Sequence, residues 1–187
     1  SDRVIGGTIF TTGEPQQYLA GVRTSVYAAP APTIVSNTVC GSGPPSPCAL
    51  EGDRQCGGAD PDDAFIEVHA IARLPKFLDG EPPYTEGGGN AHIDHRTGRP
   101  YLQGVEDVCL SISIPTGTPP EGGWPTAIFA HDIGGHFRTA VRRRVAKTLA
   151  SNPRGARWAT IGFDGVLHGT RSGTTQSPDL EELSDQI

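Results

Sequence analysis

One short segment of the chain combines the end of an apolar run with two glycines and the start of a helical pattern. It reads His131, Asp132, Ile133, Gly134, Gly135 and follows the apolar residues 126–130. Backbone N–H groups at the start of a helix lack intrahelical partners, and glycines let a negatively charged group approach them closely. We therefore predict that the amides around Ile133 are displayed toward an oxyanion.

A second polar segment covers residues 164–171 and follows the apolar strand predicted over residues 158–163. In α/β sheets with parallel strands, ligands bind beyond the carboxyl ends of the strands, so both segments would meet at one edge. We interpret the second segment mainly as a structural turn that begins at Asp164. His168 and Arg171 are candidate substrate contacts.

Two further groups of residues offer metal-type ligands. His92, Asp94 and His95 lie close together in the chain, but no second cluster supplies a fourth ligand for zinc. The aspartates of residues 60–63 lack the spaced acidic pattern of an EF-hand calcium loop. Polar loops are the better interpretation of both groups, and we predict no metal and no other cofactor.

The elements that must position these groups begin with a β-rich first region. Strands are predicted over residues 4–10 and 18–27, which flank a short turn. The proline-rich residues 29–63 predict an irregular loop. Alternating apolar residues predict half-buried strands over residues 64–74 and 108–114.

The last third of the chain changes pattern to strand, helix, strand. Apolar residues recur four apart at Phe137, Val141, Val145 and Leu149, which indicates one amphipathic helix that ends near Ser151. The run of arginines 142–144 is interpreted as the solvated face of that helix. The flanking strands 126–130 and 158–163 are expected to be parallel, with a right-handed crossover between them.

Composition and charge exclude two classes of partner. The formal net charge is −6, which repels phosphate backbones, and aromatic residues are 6% of the chain, too few for stacking on bases. Nucleic acid is therefore not an expected partner. No segment approaches the ~20 consecutive apolar residues that cross a bilayer, so no membrane span is predicted.

The four cysteines indicate disulfides and export. Cys40, Cys48, Cys56 and Cys109 form no C-x-x-C pair, which argues against a zinc site. An even number in a loop-rich chain favours two disulfides in a secreted or cell-surface protein, extracellular or periplasmic. We favour Cys40–Cys48 with Cys56–Cys109, although three pairings are possible. Free thiols in a cytosolic protein are the alternative.

The two polar segments together resemble a known family. AIFAHDIGGHFRTAVRRRVAKTLA followed by WATIGFDGVLHGTRSG resembles the front half of an α/β-hydrolase of the lipase/esterase kind. The earlier segment LPKFLDGEPPYTEGGGNAHID is similar to large secreted bacterial lipase-like proteins, and the likeness covers residues 65–173. It implies an α/β fold. Residues 105–187 would form part of an α/β-hydrolase sheet, preceded by a β-rich, disulfide-stapled region of residues 1–104.

The resemblance also implies roles for individual residues. The backbone N–H of Ile133 would supply one arm of the oxyanion hole, and His131 would support the loop by hydrogen bonding. Gly134 and Gly135 would permit the turn. Asp132 departs from the family, which usually has glycine there, and a carboxylate would oppose the charge that develops on an oxyanion.

The family's nucleophile is missing from this sequence, which contains no Gly-x-Ser-x-Gly elbow. We therefore expect a proteolytically processed fragment whose partner is the C-terminal chain of the same precursor, with the Ser-His-Asp residues there. The expected activity of the pair is carboxylic ester hydrolysis by a secreted serine esterase or polyesterase acting on an ester substrate. The alternative is a catalytically inactive, hydrolase-derived surface or assembly module.

Overall fold

A computed structural model describes residues 15–41, 45–48, 54–56, 63–84 and 87–171. Within these residues there are seven strands: β1 Thr33–Val39, β2 Phe65–Lys76, β3 Ile93–Asp94, β4 Arg99–Pro100, β5 Gly104–Pro115, β6 Thr126–Phe129 and β7 Ala159–Phe163. Five of them build one mixed sheet in the order β1-β2-β5-β7-β6, and β3 pairs with β4 in a separate hairpin. The helices are α1 Pro15–Ala28, α2 Thr139–Arg142 and α3 Val145–Ala150.

The strand–helix–strand unit predicted for the last third of the chain is confirmed. β6 and β7 are parallel neighbours, while the other neighbouring strands of the main sheet are antiparallel. The strands predicted over residues 64–74 and 108–114 are also confirmed, as β2 and β5. These strands lie on both sides of residue 104 and share one sheet, and the division into two regions there stays a prediction.

The face of the sheet that the helices cover is partly polar. Phe65 of β2 packs against Ala146 and Ala150 of α3, which identifies the covered face. Four buried polar side chains share that face through the pleat and the β2–β5 register: Glu67, His69, Ser111 and Ser113. The alternating apolar residues of β2 and β5 share one side of each strand, as predicted. That side is the face of the sheet that the helices do not cover.

The helix predicted after the glycines is interrupted. α2 has four residues, and Arg144 then adopts a left-handed backbone conformation with φ +60° before α3 begins. α3 ends at Ala150, which confirms the predicted end near Ser151. The arginines 142–144 are exposed, as predicted for a solvated face. Among the described residues, no helix is long and apolar enough to cross a bilayer.

The strand predicted over residues 18–27 is wrong, because these residues belong to α1. Proline is favoured in the first turn of a helix, where its missing N–H costs no hydrogen bond, and Pro15 begins α1. Thr24 of this segment donates its hydroxyl to Ala20 O one turn back at 2.8 Å. The strand predicted over residues 4–10 lies outside the described residues.

The proline-rich loop predicted over residues 29–63 contains the strand β1, which pairs antiparallel with β2. The cysteines pair as Cys40–Cys56 and Cys48–Cys109, so two disulfides are present but the favoured pairing is wrong. Cys40 follows β1, where its amide donates to Glu67 O at 2.9 Å. Cys48 instead lies against β5 in a buried cluster with Cys109 and Phe137.

Candidate functional site

The segment after β6 forms a tight turn with an unoccupied backbone donor. The Gly135 amide donates to Asp132 O at 3.0 Å, and Gly134 has φ +75°, as the third residue of a type II turn requires. Ile133 lies at the second position with its side chain 59% exposed. Within the described part of the chain, the Ile133 N–H donates no hydrogen bond.

The predicted helix start at this turn is wrong. α2 begins at Thr139, four residues after Gly135, and it is only one turn long. The turn, and not the start of a helix, therefore exposes the Ile133 amide. No helix dipole adds a positive potential at this amide. Gly135 is required for a second reason, because a Cβ there would lie 2.6 Å from the Cβ of His131.

His131 joins the two polar segments. Its Nδ1 lies 2.9 Å from Asp132 O, and its Nε2 lies 3.0 Å from the Gly165 amide. Since a carbonyl only accepts and an amide only donates, Nδ1 carries the proton and Nε2 accepts. The ring also contacts His168 edge to face, with centroids 4.7 Å apart. The carboxyl ends of β6 and β7 are thus held together.

Asp132 directs its carboxylate to the helix that follows. Arg143 Nη1 donates to Asp132 Oδ2 at 3.0 Å, and both side chains are exposed. The hydrogen bond from Arg143 holds the pKa of Asp132 below its ordinary value. The negative charge of Asp132 is therefore paired with a cation.

Asp164 is fully buried and connects three segments. Its Oδ1 accepts the Phe137 amide at 2.8 Å. Its Oδ2 accepts the Thr170 amide at 3.0 Å and the Arg54 guanidinium at 3.1 Å. A Cβ on Gly169 would lie 2.1 Å from this carboxylate, so the loop can close around it only with glycine there. Asp164 therefore sets how the segment after β7 lies against the segment after β6.

The two predicted substrate contacts differ in how their polar atoms are engaged. Arg171 donates through Nε and Nη2 to both oxygens of Glu106, at 3.1 and 2.8 Å, beside a cavity of about 330 Å³. His168 donates through Nδ1 to Val166 O at 2.8 Å. Its Nε2 is buried and has no hydrogen-bond partner among the described residues. His168 thus has a free acceptor near His131, whereas Arg171 is committed to an ion pair.

The structure does not assemble the candidate metal ligands. His92 pairs with Asp79 at 2.8 Å, and Asp94 accepts from the Arg96 amide and the Thr97 hydroxyl. In the described segments, the one group of three ligand atoms close enough for a metal is Cys40, Cys56 and His69, and its two sulfurs form a disulfide. The aspartates at 60 and 62 lie outside the described residues.

Sequence reasoning missed a buried polar network beneath α2. Arg138 donates through Nε and Nη2 to the two carboxylate oxygens of Glu67, at 2.7 and 2.9 Å. His69 Nε2 and Ser111 Oγ also bond Glu67 Oε1, at 2.9 and 3.0 Å. Burial alone would raise the pKa of Glu67, but hydrogen bonds from His69 and Arg138 outweigh it and lower the pKa to about 2.

The network continues from His69 to a serine. Ser46 Oγ lies 2.7 Å from His69 Nδ1, and it accepts the Cys48 amide at 3.1 Å. The signal in the sequence was the pair Glu67 and His69, two residues apart and so on one face of an otherwise apolar strand. Ser46 carried no such signal, because it lies in a proline-rich segment distant in the chain.

Comparison with known proteins adds no assignment: no family model, no curated protein and no solved structure matches this chain.

Proposed function

We propose that this chain is the N-terminal part of a secreted serine ester hydrolase of the lipase, esterase or polyesterase kind. In this proposal it supplies one donor of the oxyanion hole. The observation that carries the proposal is the Ile133 amide, which lies in a turn at the carboxyl end of β6 and donates to none of the residues that the structure describes. A backbone donor held in this way can bind the oxygen of a tetrahedral intermediate.

The position of the turn in the sheet supports the same function. α/β-Hydrolases take one oxyanion N–H from the loop after the third strand. Within residues 65–173, which carry the resemblance, β6 is the third strand of the main sheet after β2 and β5. The two loops at the carboxyl ends of β6 and β7 also meet at one edge, where His131 bonds the Gly165 amide.

The chemistry would be shared between two polypeptides. A serine of the C-terminal chain, activated by a histidine that an acid orients, attacks the carbonyl carbon of the ester. The carbonyl oxygen gains negative charge and accepts the Ile133 N–H. Asp132 does not cancel this effect, because Arg143 pairs with its carboxylate at 3.0 Å. His131 keeps the turn against the segment after β7.

A covalent serine probe tests this function on the complete protein, expressed from its full precursor. We expect a fluorophosphonate to add once to a second polypeptide that co-purifies with this chain, as read by intact mass and peptide mapping. A well-folded preparation that consists of the 19.6 kDa chain alone would contradict the proposal.

One observation favours the alternative of an inactive assembly module. On the face opposite α2 and α3, five β-branched residues lie in one row across all five strands, in the order Val39, Val68, Ile112, Ile161 and Ile128. The row ends on Val39 and Ile128, which are 40% and 74% exposed. Exposed apolar surface of this kind marks protein contacts. An intact complex that no serine probe labels would favour this function.

A further inference from the structure

We propose that Ser46 is a second nucleophile, activated by His69 and able to accept a small acyl group from an ester. This inference is independent of the oxyanion turn and of any C-terminal chain. It rests on three side chains from two segments that lie far apart in sequence, Ser46 before β2 and the pair Glu67 and His69 within it.

The geometry is that of an activated hydroxyl. Ser46 Oγ lies 2.7 Å from His69 Nδ1, and His69 Nε2 lies 2.9 Å from Glu67 Oε1. A nucleophile bonded to a base, with the base oriented by a third group, is the arrangement that makes a serine reactive. Ser46 and His69 are the catalytic residues of this proposal, and Glu67 is a positioning residue.

The Glu67 carboxylate determines which nitrogen of His69 carries the proton. The pKa of Glu67 is lowered to about 2, so its carboxylate is ionised at neutral pH and only accepts. His69 therefore carries its proton on Nε2, which leaves the Nδ1 lone pair directed at Ser46. Ser46 accepts the Cys48 amide, so its own hydrogen is free to point at Nδ1.

The segment that carries Ser46 is held rigidly. Residue 47 is proline and has no N–H, so the Cys48 amide is the first backbone donor after the serine, and it lies 3.1 Å from Ser46 Oγ. Cys48 is joined by a disulfide to Cys109 of β5. His69 is fully buried and packs edge to face on the Phe137 ring, with centroids 5.0 Å apart. The serine and its base therefore keep a fixed relation.

Burial restricts the substrate. Ser46 is 8% exposed, between an exposed Pro45 and a half-buried Pro47, with His69 behind it at 0%. An electrophile that reaches Ser46 Oγ at this depth must be small, such as an acetyl group. A long acyl chain is excluded.

The reaction balances without any other reagent. Ser46 Oγ bonds to the carbonyl carbon of an acetyl ester while its proton moves to His69 Nδ1. The intermediate then breaks its bond to the alcohol oxygen, which takes that proton and leaves, and acetyl-Ser46 remains. Water adds in the same way, with His69 as base, and releases acetate. Arg138 also pairs with Glu67, so the Glu67 carboxylate stabilises a protonated His69 less than an unpaired carboxylate would. We therefore expect one rapid acylation followed by slow turnover.

4-Nitrophenyl acetate tests the proposal on the complete, disulfide-intact protein, expressed from its full precursor, after a fluorophosphonate has blocked the serine that the hydrolase function requires. We expect a burst of one equivalent of 4-nitrophenolate per chain, and an acetyl adduct on the peptide that contains Ser46. The decanoate ester should give no burst. Ser46→Ala should abolish the burst, and His69→Gln should slow it by ~10²–10⁴-fold, the usual contribution of a general base.

Ser111→Ala is the matched control, because its hydroxyl bonds Glu67 Oε1 and not His69. The Ser111→Ala variant should keep the burst rate within a few-fold of the wild type. If Ser46 and His69 only packed together, no variant and no wild-type protein would form an adduct on Ser46. Folded wild-type protein without an acetyl group on Ser46 overturns the proposal, as does an adduct whose rate His69→Gln leaves unchanged. An adduct on Ser46 is also distinct from the labelled second polypeptide that the hydrolase function requires, so the two proposals can fail separately.

Discussion

The carboxylate of Asp164 accepts the backbone N–H of Phe137 at 2.8 Å, and this bond connects the segment after β7 to the segment that leads into α2. The same carboxylate accepts from Arg54 and Thr170, and it is fully buried. β6 and β7 are already paired as parallel neighbours, and this bond adds a direct connection between the two loops that follow them.

Removal of this carboxylate should be strongly destabilising. Asp164→Ala removes the carboxylate that accepts from the buried Arg54 guanidinium and from the Phe137 amide, and loss of one partner costs ~3–5 kcal/mol in comparable buried pairs. Asp107→Ala is the control, because the Arg73–Asp107 pair is about half exposed and is expected to contribute under about 1 kcal/mol. Urea unfolding of both variants measures the difference. Equal losses for the two would contradict the connecting role of Asp164.

The network around Glu67 predicts a specific loss of stability in acid. The folded-state pKa of Glu67 is about 2, below its ordinary value of 4.5. The contribution of ionised Glu67 to the free energy of unfolding is therefore fully present above about pH 4.5, and it is lost as the pH falls toward 2. The shift corresponds to about 3 kcal/mol of unfolding free energy.

Glu67→Gln removes this carboxylate and keeps a side chain of nearly the same size and shape. The difference in unfolding free energy between wild type and variant should shrink by about 3 kcal/mol between pH 5 and pH 2. Urea titrations at several pH values give this difference. A gap that stays constant over that range would mean that Glu67 is not held ionised by His69 and Arg138.

The turn at Ile133 allows the removal of a single backbone donor. Proline is favoured at the second position of a type II turn, so Ile133→Pro should delete the N–H without disturbing the fold. If that amide binds the oxyanion, kcat of the complete hydrolase should fall by ~10²–10³, with little change in KM. Ile133→Ala keeps the amide and should retain near wild-type kcat. Equal activity of the two variants would exclude this amide from catalysis.

Gly162 of β7 should tolerate no side chain. A Cβ there would lie 2.2 Å from the carbonyl oxygen of Phe137, which is backbone and cannot rotate away. We expect Gly162→Ala to cost ~1–3 kcal/mol by overpacking. The exposed Gly155, where a Cβ would meet the amide end of Asn152 at 3.0 Å, should accept alanine within about 0.5 kcal/mol. Thermal or urea unfolding checks the pair.

Local sequence patterns were sufficient to predict where most strands of the main sheet lie. Alternation located β2 and β5, and the apolar runs before Asp164 and His131 located β7 and β6. These features depend on neighbours within a few residues, which is why they can be read from the chain. α1 and β1 were missed because β-branched residues, proline and glycine made the local signals contradictory there.

The chemistry of the buried face was decided by tertiary structure. Alternation shows that Glu67 and His69 share one side of β2, but it cannot tell which side α2 and α3 will cover. Only the crossover brings Arg138 onto Glu67, and only the chain path before β2 brings Ser46 to His69. The pairing of the cysteines could not be predicted for the same reason. The distance between two cysteines depends on how the strands pair and not on the spacing of the cysteines in the sequence.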